Sequence, residues 1–586
     1  MGKETRATVK DPIADWVAFD WRKAEQTVYR LQKRIFRARN QGKTQVVHNL
    51  QRKLERSFFA RMLAVRKVTQ DNQGKKTAGV DGKTALTTAE RVELVKDLKP
   101  EHRKRQKPQP VRRVWIPKPG KTEKRPLGIP TIRDRAEQAV AKLALEPEWE
   151  AVFEPNSYGF RPGRSAQDAI AAIFDFTCRK AKYVLDADIA GCFDHISHEA
   201  LLEKLQTYPA MRRYIRGCLK AGVMEGQVFS KGKRKSILPT EEGTPQGGVI
   251  SPLLANIALH GLEAEIARGY KSYQRPWPQV IRYADDFVIL CDTKEKLEES
   301  RKRAEAWLKT IGLEMKPSKT RVTHTLEPVD GNVGFDFLGF QVKQYRVGKS
   351  HSSKDSQGNK LGFTLLIKPT REAKQEHLKS LKQTIRKHRS RSQEILIKEL
   401  SPKTRGWSNY YKTVVAADCF RDMDWYMNNM LWKWATWSDK GSRKTLKEKY
   451  WQRTDGKRWE FRTKNNWLYY HTRTKITRHK KVVGTASPFD GNMAYWAKRV
   501  YDGPVTKNRV GRVLRQQKGQ CAGCGLYLRD GDLIELDHFI PKRLGGKDEI
   551  SNLRAYHRHC HDQKTRADGA NRETSESLVR DDNEQD

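Results

Sequence analysis

The sequence predicts an α+β protein built from several domains. Its 586 residues exceed what one hydrophobic core usually supports, and 37% of them are hydrophobic, which suffices for ordinary cores. Short apolar runs that end in acidic residues predict strands, whereas a basic amphipathic segment further along the chain predicts a helix. Paired cysteines and histidines after residue 520 predict a small metal-bound unit. We therefore expect three or four folded units.

The charge of the chain indicates a polyanionic partner. There are 115 Lys and Arg residues against 70 Asp and Glu residues, which gives a formal charge of +45. Solubility alone would be served better by acidic residues, so this excess of cations favours nucleic acid as the partner.

Cysteine usage and hydropathy favour an intracellular protein. Eight cysteines are too few for a disulfide framework in a chain of this length. The first residues form no apolar signal core, and no uninterrupted apolar stretch approaches the length of a membrane span. We expect reduced thiols and no membrane association.

The segment Tyr283-Ala284-Asp285-Asp286 predicts a β-hairpin with two carboxylates at its tip, because apolar runs at 280–281 and 287–290 flank it. Paired carboxylates favour Mg²⁺. Two such ions about 3.5–4 Å apart can hold the attacking and leaving oxygens of a phosphoryl displacement. Since an isolated Asp-Asp turn is often only solvated, a third carboxylate is needed. A short apolar strand upstream ends at Asp188, our choice, with Asp186 and Asp194 as alternatives.

These residues and several ordered blocks resemble the reverse transcriptases, in particular the group II intron branch that combines RNA-templated DNA synthesis with maturase activity. The blocks lie between residues 75 and 345 in the family's order, namely AGVDG at 78–82, RPLGIP at 125–130, SYGFRPGRS at 157–165, the Asp188 strand, GTPQGGVISPL at 243–253, the acidic hairpin and GFDFLGF at 334–340. The resemblance implies right-hand fingers and palm at 75–345, with 1–74 as a basic helical extension of the fingers. It also implies that Asp188, Asp285 and Asp286 bind two Mg²⁺ ions.

The resemblance further implies four nucleotide-binding residues. Lys118 and Arg125 would hold the triphosphate of the incoming dNTP, where a surface salt bridge is the alternative. Phe193 would pack beneath the sugar and reject a 2′-hydroxyl, unless it is a core residue. Gln246 would contact the primer and template, since its glycine neighbours allow a close approach of the backbone. Lys319 resembles the lysine that some polymerases use to protonate pyrophosphate, but a Lys-Thr pair shortly after a proline is also typical of an ordinary basic loop, and we adopt the loop interpretation.

Residues 346–450 are predicted to contain a linker and a helical thumb. The Ser- and Gly-rich stretch at 345–360 predicts a loop that joins the palm to the next unit. After Pro369, an apolar stripe surrounded by cations predicts a basic amphipathic helix. The block RGWSNYY at 405–411 resembles the maturase thumb, or domain X, and implies contacts with intron RNA and the template-primer duplex.

Residues 451–515 interleave aromatic and cationic side chains, a pattern typical of DNA-binding regions. Half-buried strands show the same alternation and remain the alternative. The residues after them, at 516–570, contain two metal-ligand pairs. Their spacing predicts one tetrahedral structural Zn²⁺ site, with His559 as an alternative to His557, formed by Cys521, Cys524, His557 and Cys560.

The remaining polar residues of 516–570 resemble the ββα-metal motif of HNH endonucleases. The resemblance implies that Asp537 and His561 ligate Mg²⁺ or Mn²⁺ and that His538 is the general base. Asn552 would fix the loop, orient the imidazole or join the metal shell. A purely structural zinc knuckle is the alternative. The acidic residues 571–586 predict a disordered tail.

The order of polymerase, basic thumb, DNA-binding region and nuclease resembles a mobile group II intron-encoded protein. The resemblance implies a cytoplasmic or nucleoid-associated bacterial ribonucleoprotein whose partners are intron RNA, double-stranded target DNA and dNTPs. It also implies help in splicing, nicking of the target and target-primed reverse transcription. One alternative is an RNA-folding cofactor with a vestigial polymerase. Another is a retron, diversity-generating or defence reverse transcriptase with a different RNA partner.

Overall fold

The computed structural model describes residues 16–568, except 17, 100, 102–105, 118–122, 226–236, 272–275, 349, 455–457 and 504–507. Lys118 and the acidic tail at 571–586 lie outside the described residues. Among the helices described, none is both long and apolar enough to cross a membrane.

Helices form the N-terminal part of the described chain. They are α1 (Trp21–Asn40), α2 (Thr44–Arg56), α3 (Phe58–Arg66), α4 (Thr88–Asp97) and α5 (Ile132–Glu150). Val28, Leu31 and Ile35 recur at helical spacing on α1 and are buried, so one apolar stripe fixes the orientation of this helix. A capping box between Thr87 and Glu90 begins α4.

A four-stranded sheet stands beside these helices, as expected for the fingers. Its strand order is β2-β1-β4-β5. The strands are β1 (Val111–Pro117), β2 (Lys124–Ile129), β4 (Val223–Met224) and β5 (Ile237–Leu238). The antiparallel pairing of β1 and β2 places Arg125 opposite Ile116 on an exposed ribbon.

A second four-stranded sheet, in the order β6-β7-β3-β8, forms the palm. Its strands are β3 (Tyr183–Asp188), β6 (Gln279–Tyr283), β7 (Asp286–Cys291) and β8 (Arg321–His324). Every residue of β7 after Asp286 is buried, because its alternating side chains enter two hydrophobic cores on opposite faces of the sheet. The palm helices are α6 (Ala166–Thr177), α7 (Cys192–His195), α8 (His198–Leu205), α9 (Pro209–Leu219), α10 (Ser251–Leu259), α11 (Leu262–Ala267) and α12 (Lys294–Lys309).

The palm ends in a three-stranded sheet of β9 (Phe335–Phe337), β10 (Phe340–Arg346) and β11 (Phe363–Pro369). Antiparallel pairing of β10 with β11 runs along their full length. The Ser- and Gly-rich stretch is therefore the connection within this hairpin, and it does not link the palm to the thumb as the sequence suggested. Loop composition marks a turn but does not tell which elements the turn joins.

The thumb contains four helices and a short hairpin. These elements are α13 (Arg371–Lys387), α14 (Gln393–Tyr411), α15 (Ala417–Ser438), α16 (Arg443–Tyr450), β12 (Trp451–Thr454) and β13 (Arg458–Phe461). Leu381, Leu400 and Leu431 are fully buried between the helices. Trp451 and Phe461 from the hairpin lie in the same core, so the hairpin packs as part of the thumb.

The last described elements form a ββα unit preceded by two helices. They are α17 (Met493–Asp502), α18 (Asn508–Gln516), β14 (Ile534–His538), β15 (Leu553–His557) and a helix over 558–568, named α19. Strands β14 and β15 pair antiparallel and place Asp537 opposite Arg554. This unit has the architecture predicted for residues 516–570.

A buried carboxylate of the palm holds the segment that follows the thumb. Asp168 on α6 accepts hydrogen bonds from His479 Nε2 at 3.0 Å, the Val482 amide at 2.7 Å and Arg499 Nη2 at 2.8 Å. It also completes the capping box with Ser165 at the start of α6. The side chain is fully buried. One residue therefore both begins a palm helix and anchors the chain between thumb and ββα unit.

Candidate active sites

Strand register gathers three carboxylates at one end of the palm sheet. Antiparallel pairing of β3 with β7 places Asp188 directly opposite Asp286. The adjacent hairpin pairs Tyr283 with Asp286, so Ala284 and Asp285 form its two-residue turn. Ala284 adopts a left-handed conformation with φ of 58°. The acidic hairpin predicted from the sequence is thus present, and Asp188 meets it.

Of the alternatives to Asp188, neither lies opposite the hairpin carboxylates. Asp186 is one pleat back along β3, where it pairs with Val288 and Arg321. Burial raises its pKa to about 7. Asp194 is exposed, and its carboxylate accepts hydrogen bonds from Gln246 Nε2 at 3.2 and 3.3 Å. Position therefore favours Asp188 as the third carboxylate.

The three clustered carboxylates favour the binding of cations. Burial, together with the negative charges of Asp285 and Asp188, raises the pKa of Asp286 to about 7. Burial also raises the pKa of Asp285. Lys319 Nζ forms an ion pair with Asp188, although the loop interpretation was preferred for this lysine from the sequence. A clustered set of oxygen donors with one contacting ammonium fits divalent cations such as Mg²⁺.

Buried contacts fix the turn that carries Asp285. A Cβ on Gly159 would lie 2.3 Å from the Ala284 nitrogen, so only glycine permits this approach. Arg282 Nη1 donates to Asn256 Oδ1 at 3.0 Å and to the Ala284 carbonyl at 3.2 Å, while Asn256 Nδ2 donates to the Gly159 carbonyl at 2.8 Å. Arg282 and Asn256 were missed in the sequence because each resembles an ordinary polar residue of its element.

Three of the predicted nucleotide-binding residues, Arg125, Phe193 and Gln246, lie in the described part of the chain. Burial raises the pKa of Asp285, and the positive charge of Arg125 opposes that rise in small part. The Phe193 ring meets the half-exposed Phe160 edge to face, with centroids 6.1 Å apart. The Gln246 carbonyl accepts from the Gly128 amide at 2.6 Å, which joins this loop to β2.

The predicted zinc ligands converge in the ββα unit. The ligand atoms of Cys521, Cys524, His557 and Cys560 all lie within 4.8 Å of one another, and the four residues are buried. His557 directs Nδ1 to Cys524 Sγ at 3.3 Å and Nε2 to Asp532 Oδ2 at 3.5 Å. Three thiols and an imidazole with a carboxylate behind it fit a structural Zn²⁺.

His559 occupies a different environment from His557. Its Nδ1 lies 3.2 Å from Arg66 Nη1 and 3.9 Å from Glu25 Oε1, both on the N-terminal helices. Burial and the charge of Arg66 lower the pKa of His559 to about 4, so the ring is neutral at pH 7. Of the two histidines left open by the sequence, His557 is thus the one grouped with all three cysteines.

The predicted nuclease ligands are close neighbours. Asp537 Oδ2 lies 3.9 Å from His561 Nε2 and 2.9 Å from Lys564 Nζ. Burial would raise the pKa of Asp537, but hydrogen bonds from Lys564 and the His538 amide, together with the charges of Lys564 and His561, lower it. A carboxylate beside a half-exposed imidazole can bind one divalent ion. Lys564 was not identified from the sequence.

His538 and Asn552 have distinct partners. His538 Nε2 lies 2.9 Å from Asp548 Oδ1, a contact that sequence spacing did not indicate. Both polar atoms of the Asn552 side-chain amide form hydrogen bonds with the backbone. Its Oδ1 accepts from the Ile540 amide at 2.8 Å, and its Nδ2 donates to the Ile540 and Lys547 carbonyls at 3.0 Å. These contacts favour the loop-fixing role among the three considered for Asn552.

Comparison with known proteins identifies four domains in the chain. Family models match for the N-terminal domain of reverse transcriptase at residues 16–98, reverse transcriptase (RNA-dependent DNA polymerase) at 116–342, the group II intron maturase-specific domain at 374–451 and HNH endonuclease at 521–567. The matches confirm the polymerase, maturase and nuclease domains predicted from the sequence. The reverse transcriptase and HNH endonuclease families generally use divalent metals.

The relatives include bacterial proteins. Protein YkfC of Escherichia coli K12 is 33% identical over 325 residues, which cover 48% of this chain and 81% of that protein. Group II intron-encoded protein LtrA of Lactococcus lactis subsp. cremoris is 29% identical over 378 residues, 52% of this chain and 61% of LtrA. A solved structure of apo telomerase from Candida tropicalis has 12% identity and a TM-score of 0.32, over 40% of this chain and 53% of that one.

Proposed function

We propose that this protein primes DNA synthesis from a nick made by its own nuclease. The chain belongs to the group II intron-encoded proteins that join a reverse transcriptase, a maturase domain and an HNH endonuclease. The observation that carries the proposal is the presence in one chain of two separate acidic sites. One contains Asp188, Asp285 and Asp286, and the other contains Asp537 and His561.

In the polymerase site, Asp188, Asp285 and Asp286 would hold two Mg²⁺ ions, which when bound lower the pKa of the primer hydroxyl and stabilise the leaving pyrophosphate. The Arg282 and Asn256 network supports this role because it fixes the turn of Asp285. Arg125, on the exposed β2, would grip triphosphate oxygens through its planar guanidinium. Phe193 would pack beneath the sugar, and Gln246 would face the primer and template. Lys118 is assigned to the triphosphate by resemblance alone.

In the nuclease site, His538 would act as general base. A carboxylate can only accept a hydrogen bond, so the contact with Asp548 favours a proton on Nε2 and leaves Nδ1 free to take a proton from water. Asp537 and His561 would hold Mg²⁺ or Mn²⁺, which when bound orients the scissile phosphate and stabilises the leaving oxygen. Asn552 would keep the loop after β14 in place.

The remaining parts would bind the substrates. The basic thumb and residues 451–515 would bind intron RNA and target DNA through cations on phosphates. Zn²⁺ on Cys521, Cys524, His557 and Cys560 would stabilise the nuclease fold. The protein would act as a bacterial ribonucleoprotein, cytoplasmic or associated with the nucleoid, that assists splicing before the intron RNA enters a DNA strand.

The test is a reconstituted reaction with intron RNA, a target duplex, dNTPs and Mg²⁺, performed with wild type, Asp285→Ala and His538→Ala. We expect wild type to nick and then extend the nick, Asp285→Ala to nick only, and His538→Ala to extend only a supplied primer. Loss of both activities in either variant would contradict two independent sites. Absence of synthesis by wild type with RNA binding intact would favour the RNA-folding cofactor.

A further inference from the structure

A large cavity lies between the polymerase and nuclease domains. Its volume of about 1270 Å³ is above the range of about 300–1,000 Å³ usual for small-molecule sites. Its walls come from α1 and α3, from the palm block at 160–168, from the segment 477–503 and from the ββα unit. Polymerase and nuclease therefore face one shared space.

Contacts across the cavity hold its walls together. The Gly163 amide donates to Asp530 Oδ2 at 2.9 Å, and Lys67 Nζ donates to the Gly531 carbonyl at 3.0 Å. Tyr29 OH donates to the Pro488 carbonyl at 3.1 Å. A Cβ on Gly163 would lie 2.3 Å from the ring of Trp496, which shows how closely palm and α17 pack. The cavity is bounded by specific contacts between domains.

The lining carries excess positive charge. Among its described residues, Lys and Arg outnumber Asp and Glu by thirteen to eight. Six of the eight acidic side chains pair with cations of the protein, among them Glu25 with Arg66, Asp168 with Arg499 and Asp532 with Arg529. Lys480, Lys498 and Arg566 are exposed and have no ion-pair partner in the part of the chain that the structure describes.

The lining borders both candidate sites through residues next to them in the chain, although the residues proposed to bind Mg²⁺ or Mn²⁺ at each site are not among its members. Phe160, with its ring half exposed, lines the cavity and contacts Phe193, which follows Asp188 by five residues in the chain. Gly247, next to Gln246, lines it as well. At the other end, Arg566 lies on α19, the helix that carries His561. An aromatic ring and unpaired cations along one groove are the combination that binds single-stranded nucleic acid.

We propose that this cavity holds the single DNA strand whose 3′ end leaves the nuclease and enters the polymerase. Lys480, Lys498 and Arg566 contact its phosphates, and Phe160 stacks on a base near the palm. This inference rests on the proposed function, because a nick must be made and extended. It adds the route between the two sites and the residues that form it.

The first experiment measures how salt weakens binding of a fluorescent single-stranded oligodeoxynucleotide. For single strands the slope of log K against log salt changes by about 0.7 for each phosphate contact, so Lys480→Gln with Lys498→Gln should reduce the magnitude of the slope by about 1.4. The matched control is Lys302→Gln with Lys309→Gln on the exposed side of α12, which should leave the slope unchanged. An RNA strand of the same length is measured in parallel.

The second experiment compares synthesis from the nuclease-made nick with extension of a supplied primer. For each nicked target, the Lys480→Gln, Lys498→Gln variant should lose nick-primed synthesis at least tenfold relative to the control pair, while extension of a supplied primer stays within twofold. Thiothymidine cross-links from the oligonucleotide should map to peptides within 478–499.

The outcomes separate this inference from the proposed function. An unchanged DNA slope, retained nick-primed synthesis or cross-links confined to the thumb would overturn the inference. A slope that falls for RNA but not for DNA would also overturn it, because the cavity would then hold RNA. Wild type that neither nicks nor extends would refute the proposed function instead, and the DNA slope and cross-links would still decide whether the cavity binds a strand.

Discussion

Replacing Asp168 with Asn should detach the segment after the thumb from the palm. The carboxylate is fully buried and accepts from His479, the Val482 amide and Arg499. Asn keeps the size of the side chain but presents an NH₂ group to donors and removes the negative charge that Arg499 faces. Asp175, on the same helix, is the matched control, because its pair with Lys481 binds the same segment but is half exposed.

The expected loss of docking free energy in each variant follows from the burial of Asp168 and the exposure of Asp175. Removing one partner of a buried ion pair costs about 3–5 kcal/mol, whereas an exposed pair contributes about 0–1 kcal/mol. Arg499 retains some solvent exposure, so the lower end, about 3 kcal/mol, is the better expectation for Asp168→Asn. That energy corresponds to roughly 150-fold faster opening of the segment. Asp175→Asn should accelerate opening less than about fivefold.

Hydrogen exchange of peptides that contain Val482 measures this opening directly, since the Val482 amide is bonded to Asp168. Faster exchange should extend through α17 but not through the palm sheet. If Asp168→Asn and Asp175→Asn accelerate exchange equally, the buried carboxylate is not the anchor and the reasoning fails. Helix α6 should be monitored separately, because Asp168 also caps it.

The Asp168 carboxylate also predicts that the stability of the docked segment depends on pH. Burial alone would raise the pKa of Asp168, but the hydrogen bond from His479 and the charge of Arg499 lower it to about 2. A depressed pKa in the folded state stabilises the docked segment fully above about pH 4. The stabilisation should be lost as pH falls from about 4 through 2, and Asp168→Asn should abolish that part of the acid sensitivity.

Other variants test the two sites. Asp285→Ala should lower DNA synthesis by about 10³-fold or more, because it removes a metal-binding carboxylate worth several kcal/mol, and filter binding should show unchanged affinity for RNA. His538→Ala should slow nicking by about 10²–10⁴-fold, as expected for loss of a general base, with primer extension on an RNA template unchanged. Cys560→Ser or zinc chelation should unfold the nuclease domain and abolish nicking, and mass spectrometry should show loss of one bound zinc ion. In each case, loss of the activity assigned to the other site would contradict the assignment.

The palm site was predictable because its signals are local. Apolar runs on either side of Asp285-Asp286 give the hairpin, and an apolar run before Asp188 gives the strand. What the sequence could not give is the register, since pairing of β3 with β7 joins residues about a hundred positions apart. Lys319 illustrates the limit. It follows a proline in a basic stretch, yet folding brings it to Asp188, 131 residues away.

The role of residues 451–515 was harder to predict from the sequence, because buried cores and nucleic-acid-binding surfaces use the same residue types. Trp451, Phe461 and Tyr470 lie in the thumb core, where they contact α15 and α16. Cations of the same region, such as Lys480 and Lys498, remain exposed. Alternation along the chain does not indicate which of the two faces is covered, because that depends on how the preceding helices α15 and α16 pack against the region. The proposed DNA contacts of this region therefore rest on its cations more than on its aromatic rings.

His557 and His559 show how one short segment serves two purposes. His557 ends β15 and directs Nδ1 to Cys524 Sγ, whereas His559, in the first turn of α19, meets Arg66 and Glu25 on the N-terminal helices. Either histidine satisfied the spacing rule for zinc, so the sequence alone could not choose between them. Because both positions are fixed by the same junction of strand and helix, a zinc ion that orders His557 also orders His559. Metal binding should thus stabilise the docking of the nuclease against the polymerase as well as the nuclease fold itself.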